Sequence, residues 1–269
     1  MTLIHRQPNM QFEGVPGHWC NNIEFGAFFL AGSTGTPAVE PFLNQVLAQA
    51  KAKLPPQHRH LEDDIDNFVK QETEHYKIHN AYNAEIFKSY PFLREGYEAK
   101  RADYRQFLAS KSHKFNCAYS AAFETLALSL AVFLFEETDE YLEGADERTL
   151  NMWKWHLAEE YEHRSVCHKV YQAIYGDYFY RVKSIIFAYR HLGGHNKRIY
   201  QQIMEHERAD MTPAERKLSL ERERKFRRKL IAFQLPKVLK LFTPRYDPSP
   251  AKVPAGAQAI LDHYALASM

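Results

Sequence analysis

Two short runs of this chain place a glutamate three residues before a histidine. Residues 71–79 read QETEHYKIH and hold Glu72 and His75; residues 155–171 read WHLAEEYEHRSVCHKVY and hold Glu160 and His163. On a helix such a pair shares one face, about one turn apart. In both runs that face is otherwise apolar. Ile65, Phe68, Val69, Tyr82 and Ile86 flank the first pair, and Trp153, Leu157, Cys167, Val170 and Ile174 flank the second. An ionised carboxylate in such a stripe is costly unless it is paired or binds a metal. The chemistry on offer is coordination of divalent cations by carboxylate oxygens and imidazole nitrogens.

Two further carboxylates fall in apolar surroundings. Glu124 is the one charge in FNCAYSAAFETLALSLAVFLF, residues 115–135, and Cys117, Ser120, Ala121, Ala127, Leu128 and Ala131 share its face. Glu40 falls on the inward side of an expected helix with Leu43, Val46 or Leu47, and Ala50, although Pro41 stands beside it. Two Glu-x-x-His helices plus one carboxylate from each of two other helices make the ligand set of a ferritin-like dinuclear site. The expected metal ligands are therefore Glu40, Glu72, His75, Glu124, Glu160 and His163. Four carboxylates neutralise two divalent ions. Oxygen ligands with one imidazole per metal suit two Fe ions, with Mn or Zn as alternatives, and a thiolate-poor set argues against a structural Zn centre. His79 and His156 share these faces and are expected to orient a ligand, with direct ligation as the alternative. Tyr76, Tyr82, Trp155 and Tyr161 read as core aromatics. Glu74, Glu159 and Glu162 are rotated off the stripe and are expected to face solvent.

The elements that must position these residues read as all-α: a ferritin-like four-helix bundle with additional C-terminal helices. Residues 1–35 are expected as an N-terminal extension packed on the bundle, 36–176 as the metal-binding bundle, and 177–269 as a helical extension with a basic helix and a proline-rich tail. Thr36-Pro37 looks like a helix start, a capping hydroxyl followed by proline, giving a helix over about 37–53 that ends before Pro55-Pro56. Further helices are expected over 58–89, 113–136 and 147–175, with a polar, partly helical link after Pro91. Gly193-Gly194 is expected to separate helices 177–192 and 195–209. A last helix opens at Thr212-Pro213 and breaks at Pro236, and the segment from Pro244 to Pro254 runs extended over the surface. No period-2 run or Asn-Gly hairpin marks a strand.

Bulk properties narrow the class. The 269 residues carry 45% hydrophobic and 14% aromatic side chains, enough for a large core, and a formal net charge of +2 offers no general attraction to nucleic acid. Three cysteines without paired spacing suit a reducing compartment, and MTLIHRQPNM lacks an apolar signal core, so the expected location is cytoplasmic. The 115–135 run approaches membrane-spanning length, but a central carboxylate facing lipid is costly, so a buried bundle helix explains it better. Residues 222–242, RERKFRRK followed by LIAFQLPKVLKLF, read as a solvated helix face, with peripheral membrane contact as the sharper alternative.

The segments QETEHYKIHNAY and WHLAEEYEHRSVCHKVY resemble signatures of the bacterial family labelled predicted metal-dependent hydrolase, a ferritin-like group. The resemblance is close over roughly residues 25–175 and looser beyond, through LFTPRYDP; TPAVEPFL matches the family's Gly-Glu-aromatic helix start only at Glu40. It implies the same six residues as ligands. The expected function is an O2-activating di-iron oxidase or oxygenase on a mostly apolar small molecule, served by an electron-donor protein. The alternatives are a metal-dependent hydrolase using a metal-bridging water and a metal-handling ferritin-like protein. A monomer or homodimer is expected.

Overall fold

A computed structural model of the chain describes residues 3–267, which are all-α. Nine α-helices follow in order among them: α1 (Ile23–Lys51), α2 (Glu62–Ser89), α3 (Leu93–Ser110), α4 (His113–Glu137), α5 (Glu147–His163), α6 (Val166–Ile174), α7 (Tyr178–Glu207), α8 (Pro213–Lys240) and α9 (Ala255–Ala267).

Helices α1, α2, α4 and α5 surround a buried layer of acids and histidines. Apolar clusters close that layer on both sides. One gathers Phe25, Phe29, Tyr82, Ile86, Phe133, Trp153 and Trp155; the other gathers Phe42, Val46, Phe68, Cys117, Val170 and Tyr171. Along the chain α1 and α5 run from the first cluster toward the second, while α2 and α4 run the opposite way. Two successive long helices, α2 and α4, thus run in the same sense, and α3 is the crossover that returns the chain between them.

Helix α1 is longer than the sequence predicts. Asn22, whose side chain accepts from the Phe25 amide, caps it, so it starts at Ile23 and not at Thr36. Thr36 instead donates to the Gly32 carbonyl. The expected boundary at residue 35 therefore lies inside a continuous helix. Pro37 and Pro41 are both accommodated. Pro37 has no N–H to give to the Ser33 carbonyl, four residues back, and Asn83 Nδ2 on α2 donates to that carbonyl at 2.8 Å. Glu40 keeps its inward position, fully buried.

Other boundaries differ for similar reasons. The Gly193-Gly194 pair does not interrupt α7, because Ile185, Ala188, Ile199 and Ile203 are buried on either side of it. Each glycine costs about 1 kcal/mol of helix propensity, less than this packing supplies. Likewise Pro236 lies within α8 and does not end it. The helix expected over 147–175 is divided at Arg164-Ser165 into α5 and α6. Arg164 is drawn away there to donate to the carbonyls of Pro248, Ser249 and Ala251, which fixes the proline-rich segment. Helix α4 is long and apolar enough to cross a membrane, yet 61% of its apolar window is buried. It packs on α5, α6, α7 and α8, so its apolar character serves the core.

Candidate metal centre

The six expected ligands meet in the middle of the four helices. Glu40 comes from α1, Glu72 and His75 from α2, Glu124 from α4, and Glu160 and His163 from α5; none is more than 1% exposed. Two overlapping groups have ligand atoms within 4.8 Å of one another and could each hold an ion: Glu40, His75, His156 and Glu160, and Glu72, His75, Glu160 and His163. His75 Nδ1 lies 3.8 Å from Glu72 Oε1 and 4.0 Å from Glu40 Oε1. The His163 ring stands between two carboxylates, Nδ1 3.0 Å from Glu124 Oε2 and Nε2 3.1 Å from Glu72 Oε1.

The protein leaves these atoms conspicuously unpaired. Both oxygens of Glu40, Glu72 and Glu160, Glu124 Oε1, His75 Nδ1 and His163 Nε2 are buried without a hydrogen-bond partner. Buried polar groups are otherwise nearly always satisfied, and a bare carboxylate away from water is costly. Nine such atoms in one pocket, with the oxygen and imidazole character that suits Fe, Mn or Zn, fit a pair of divalent ions.

Protonation follows the same crowding. Burial, then repulsion from Glu72, pushes the Glu40 carboxyl well up; burial and Glu160 do the same to Glu124. Burial opposes protonation of His163, but the neighbouring Glu124 outweighs it and raises the ring to about 9. Glu160 resists burial through its contact with His156 and the charges of His163 and His75, and is lowered to about 2. Without cations the cluster thus shares protons among acids and imidazoles. Burial pushes the Cys167 thiol well up beside Glu124 and Glu72, which disfavours a thiolate ligand.

His79 and His156 take different places. Asn83 Nδ2 donates to the Ser33 carbonyl, so its Oδ1 must accept from Ser33 Oγ, at 2.8 Å. Ser33 Oγ then receives the Nδ1 proton of His79 at 2.7 Å. Burial lowers both His79 and His156 and favours their neutral forms. The remaining His79 nitrogen, Nε2, is then an acceptor and takes the Nδ1 proton of His156 at 3.1 Å. That leaves the lone pair of His156 Nε2 aimed at Glu160 Oε1, 3.2 Å away. Two lone pairs face each other there unless a proton or a cation lies between or beside them. His156 is thus among the residues that could hold an ion together with Glu40, His75 and Glu160, and His79 stands behind it as the residue that sets its tautomer.

Glu159 and Glu162 do not face solvent. Glu159 accepts from His75 Nε2 at 3.0 Å, which leaves Nδ1 as the nitrogen turned toward the acids. Arg6, 2% exposed, donates to Glu159 Oε1 at 3.0 Å and to both oxygens of Glu162, and its Nε reaches the Leu261 carbonyl of α9. Gln71 Nε2 donates to Glu162 at 2.6 Å. A carboxylate behind a ligating imidazole fixes its ring and raises its basicity. Periodicity missed these residues because α5 is buried on every side from Trp155 to His163, so it has no solvent face to detect. Glu74 is also largely covered, its side chain 13% exposed beside Lys77. Tyr82, Trp155 and Tyr161 pack in the interior as expected, and Tyr76 is half-buried.

Lys100 on α3 is a second unforeseen charge. It is 2% exposed, and burial lowers its amine to about 8 while Glu40 opposes the shift. Gly35 makes room for it: a Cβ there would collide with Lys100 Nζ.

No curated protein and no solved structure matches the chain. A family described as predicted metal-dependent hydrolase matches over residues 4–251, a span that includes Arg6 and every residue of the centre. The chain belongs to the predicted metal-dependent hydrolase family.

Proposed function

We propose that this is a metalloenzyme with a ferritin-like dinuclear centre, its two ions held by Glu40, Glu72, His75, Glu124, Glu160 and His163, with His156 as a further nitrogen ligand. The observation that carries this reading is the set of nine buried, unpartnered oxygen and nitrogen atoms contributed by four helices. Bound there, two ions supply either a water acidified enough to act as a nucleophile or, as irons, the electrons that reduce dioxygen.

The chain's own residues hold and orient. His75 is aimed by Glu159, which Arg6 clamps in turn. His156 is aimed by the His79–Ser33–Asn83 chain. The apolar clusters on both sides keep bulk water from the acids, so the ions take the charge that water would otherwise screen.

Of the two reactions, hydrolysis of a small molecule stands first, supported by the description of the family. Dioxygen activation on an apolar substrate, with an external electron donor, stands second and is supported by the depth of the site, where every acid is at most 1% exposed. Turnover of an ester and phosphoester panel separates them. Hydrolysis by Mn- or Zn-loaded protein without oxygen or reductant, lost in Glu72→Ala, supports the first. Oxygen uptake only by the reduced iron form, equally lost in Glu72→Ala, supports the second. Turnover by metal-free protein, or undiminished in Glu72→Ala, contradicts both.

A further inference from the structure

Outside the four-helix centre, one other group of side chains among the described residues brings metal-ligating atoms together. Asp103 on α3 faces His191 and His195 on α7, and their ligand atoms lie within 4.8 Å of one another. His191 Nε2 is 3.2 Å and His195 Nε2 2.8 Å from the same oxygen, Asp103 Oδ2. The two histidines are four residues apart on one helix, so a single face of α7 presents both. Neither α3 nor α7 contributes a candidate ligand to the central cluster.

The surroundings prepare the imidazoles for a cation. Tyr119 OH lies 2.8 Å from His191 Nδ1 and 3.0 Å from Tyr104 OH. A partner on Nδ1 fixes the ring and directs Nε2 at the metal, the arrangement usual behind a ligating histidine. Phe187 stacks on the His191 ring at an interplanar angle of 10°. Burial lowers His191, against the pull of Asp103, which favours the neutral ring that a metal requires. Lys100, whose charge also lowers His191, is buried and donates to Asn196 Oδ1 at 3.2 Å. The histidine side chains are 12% exposed and Asp103 is 38% exposed, so solvent reaches the site.

We propose that Asp103, His191 and His195 form a separate binding site for a borderline divalent cation, Zn2+ in the first place. Two imidazoles and one carboxylate supply three ligands, and water completes a tetrahedron from the exposed side. The bound ion would tie α3, the crossover helix, to α7.

Metal-free full-length protein titrated with Co2+ reads the site through its stoichiometry and the visible absorption of four-coordinate cobalt. Wild type is expected to take one equivalent more than either His195→Ala or Asp103→Asn, and both variants to lose that absorption. Tyr119→Phe keeps the stoichiometry and weakens the site about tenfold. Circular dichroism without metal checks that each variant folds, and Zn2+ is expected to raise Tm more in wild type than in the His195→Ala protein. Hydrogen bonds alone joining α3 to α7 would give equal stoichiometry, equal absorption and equal Tm shifts in wild type, His195→Ala and Asp103→Asn; that result overturns the proposal.

Discussion

Arg6 sits at the outer end of a line of contacts that finishes on a ligand. It pairs with both Glu159 and Glu162, and Glu159 holds His75. Replacing Arg6 with Met leaves two carboxylates buried without a cation. Removing one partner of a buried ion pair costs about 3–5 kcal/mol, so urea unfolding of Arg6→Met is expected to show a loss of that order. Glu159→Gln tests the other link, since it keeps the shape and removes the charge behind His75. Metal affinity is expected to fall about 10- to 100-fold, read by competition with a chelator; unchanged affinity would remove Glu159 from the account. The acids and histidines of the two Glu-x-x-His motifs were legible in the sequence because each motif pairs a charge with an imidazole inside an apolar stripe. Arg6, Glu159 and Lys100 were not. Their partners are distant in the chain or lie on helix faces that only tertiary packing covers.

At the scale of elements, α1 shows why local signals mislead. Gly32 to Pro37 contains two glycines, three hydroxyls and a proline, which reads as a loop followed by a helix start. The structure keeps the helix intact because α2 supplies what Pro37 removes, the Asn83 donor to the Ser33 carbonyl. Asn83→Ala should leave that carbonyl unsatisfied at a cost of about 1–3 kcal/mol. With Pro37→Ala restoring an N–H, the same Asn83→Ala change should cost less, and a double-mutant cycle measures the difference. Strict additivity would mean that Asn83 does not compensate for the proline. The glycine pair in α7 and Pro236 in α8 misled for the same reason: packing decides where propensity is marginal. By contrast α2 and α4 were legible almost to their ends, since Pro55-Pro56, Pro91 and the acidic run after Phe135 bound their apolar patterns.

Over the whole molecule, a polar layer is enclosed by two apolar clusters, and α1 and α5 cross it in one direction while α2 and α4 cross it in the other. The long interval between His75 and Glu124 became the crossover, in the form of α3. The C-terminal region was less legible, because α9 carries no charge pattern that points to its contact with α5. Its neighbour α8 leaves Ile231, Leu235 and Leu239 more than half exposed at four-residue spacing, beside exposed Arg224, Arg227 and Arg228. If this face meets an anionic membrane surface, vesicle sedimentation should show binding that weakens with salt and disappears when Arg227 and Arg228 are both changed to Glu. Binding indifferent to those changes would assign the exposed residues no such role.

The central claim is that four helices converge on two metal ions. Anomalous diffraction from crystals grown with iron or manganese tests it most directly. Two peaks per chain are expected within the polar layer, one beside His75 Nδ1 and one beside the His163 ring, with Glu72 and Glu160 turned toward them. A metal-loaded crystal with no peak there, and with those acids paired only to the histidines, would contradict the account.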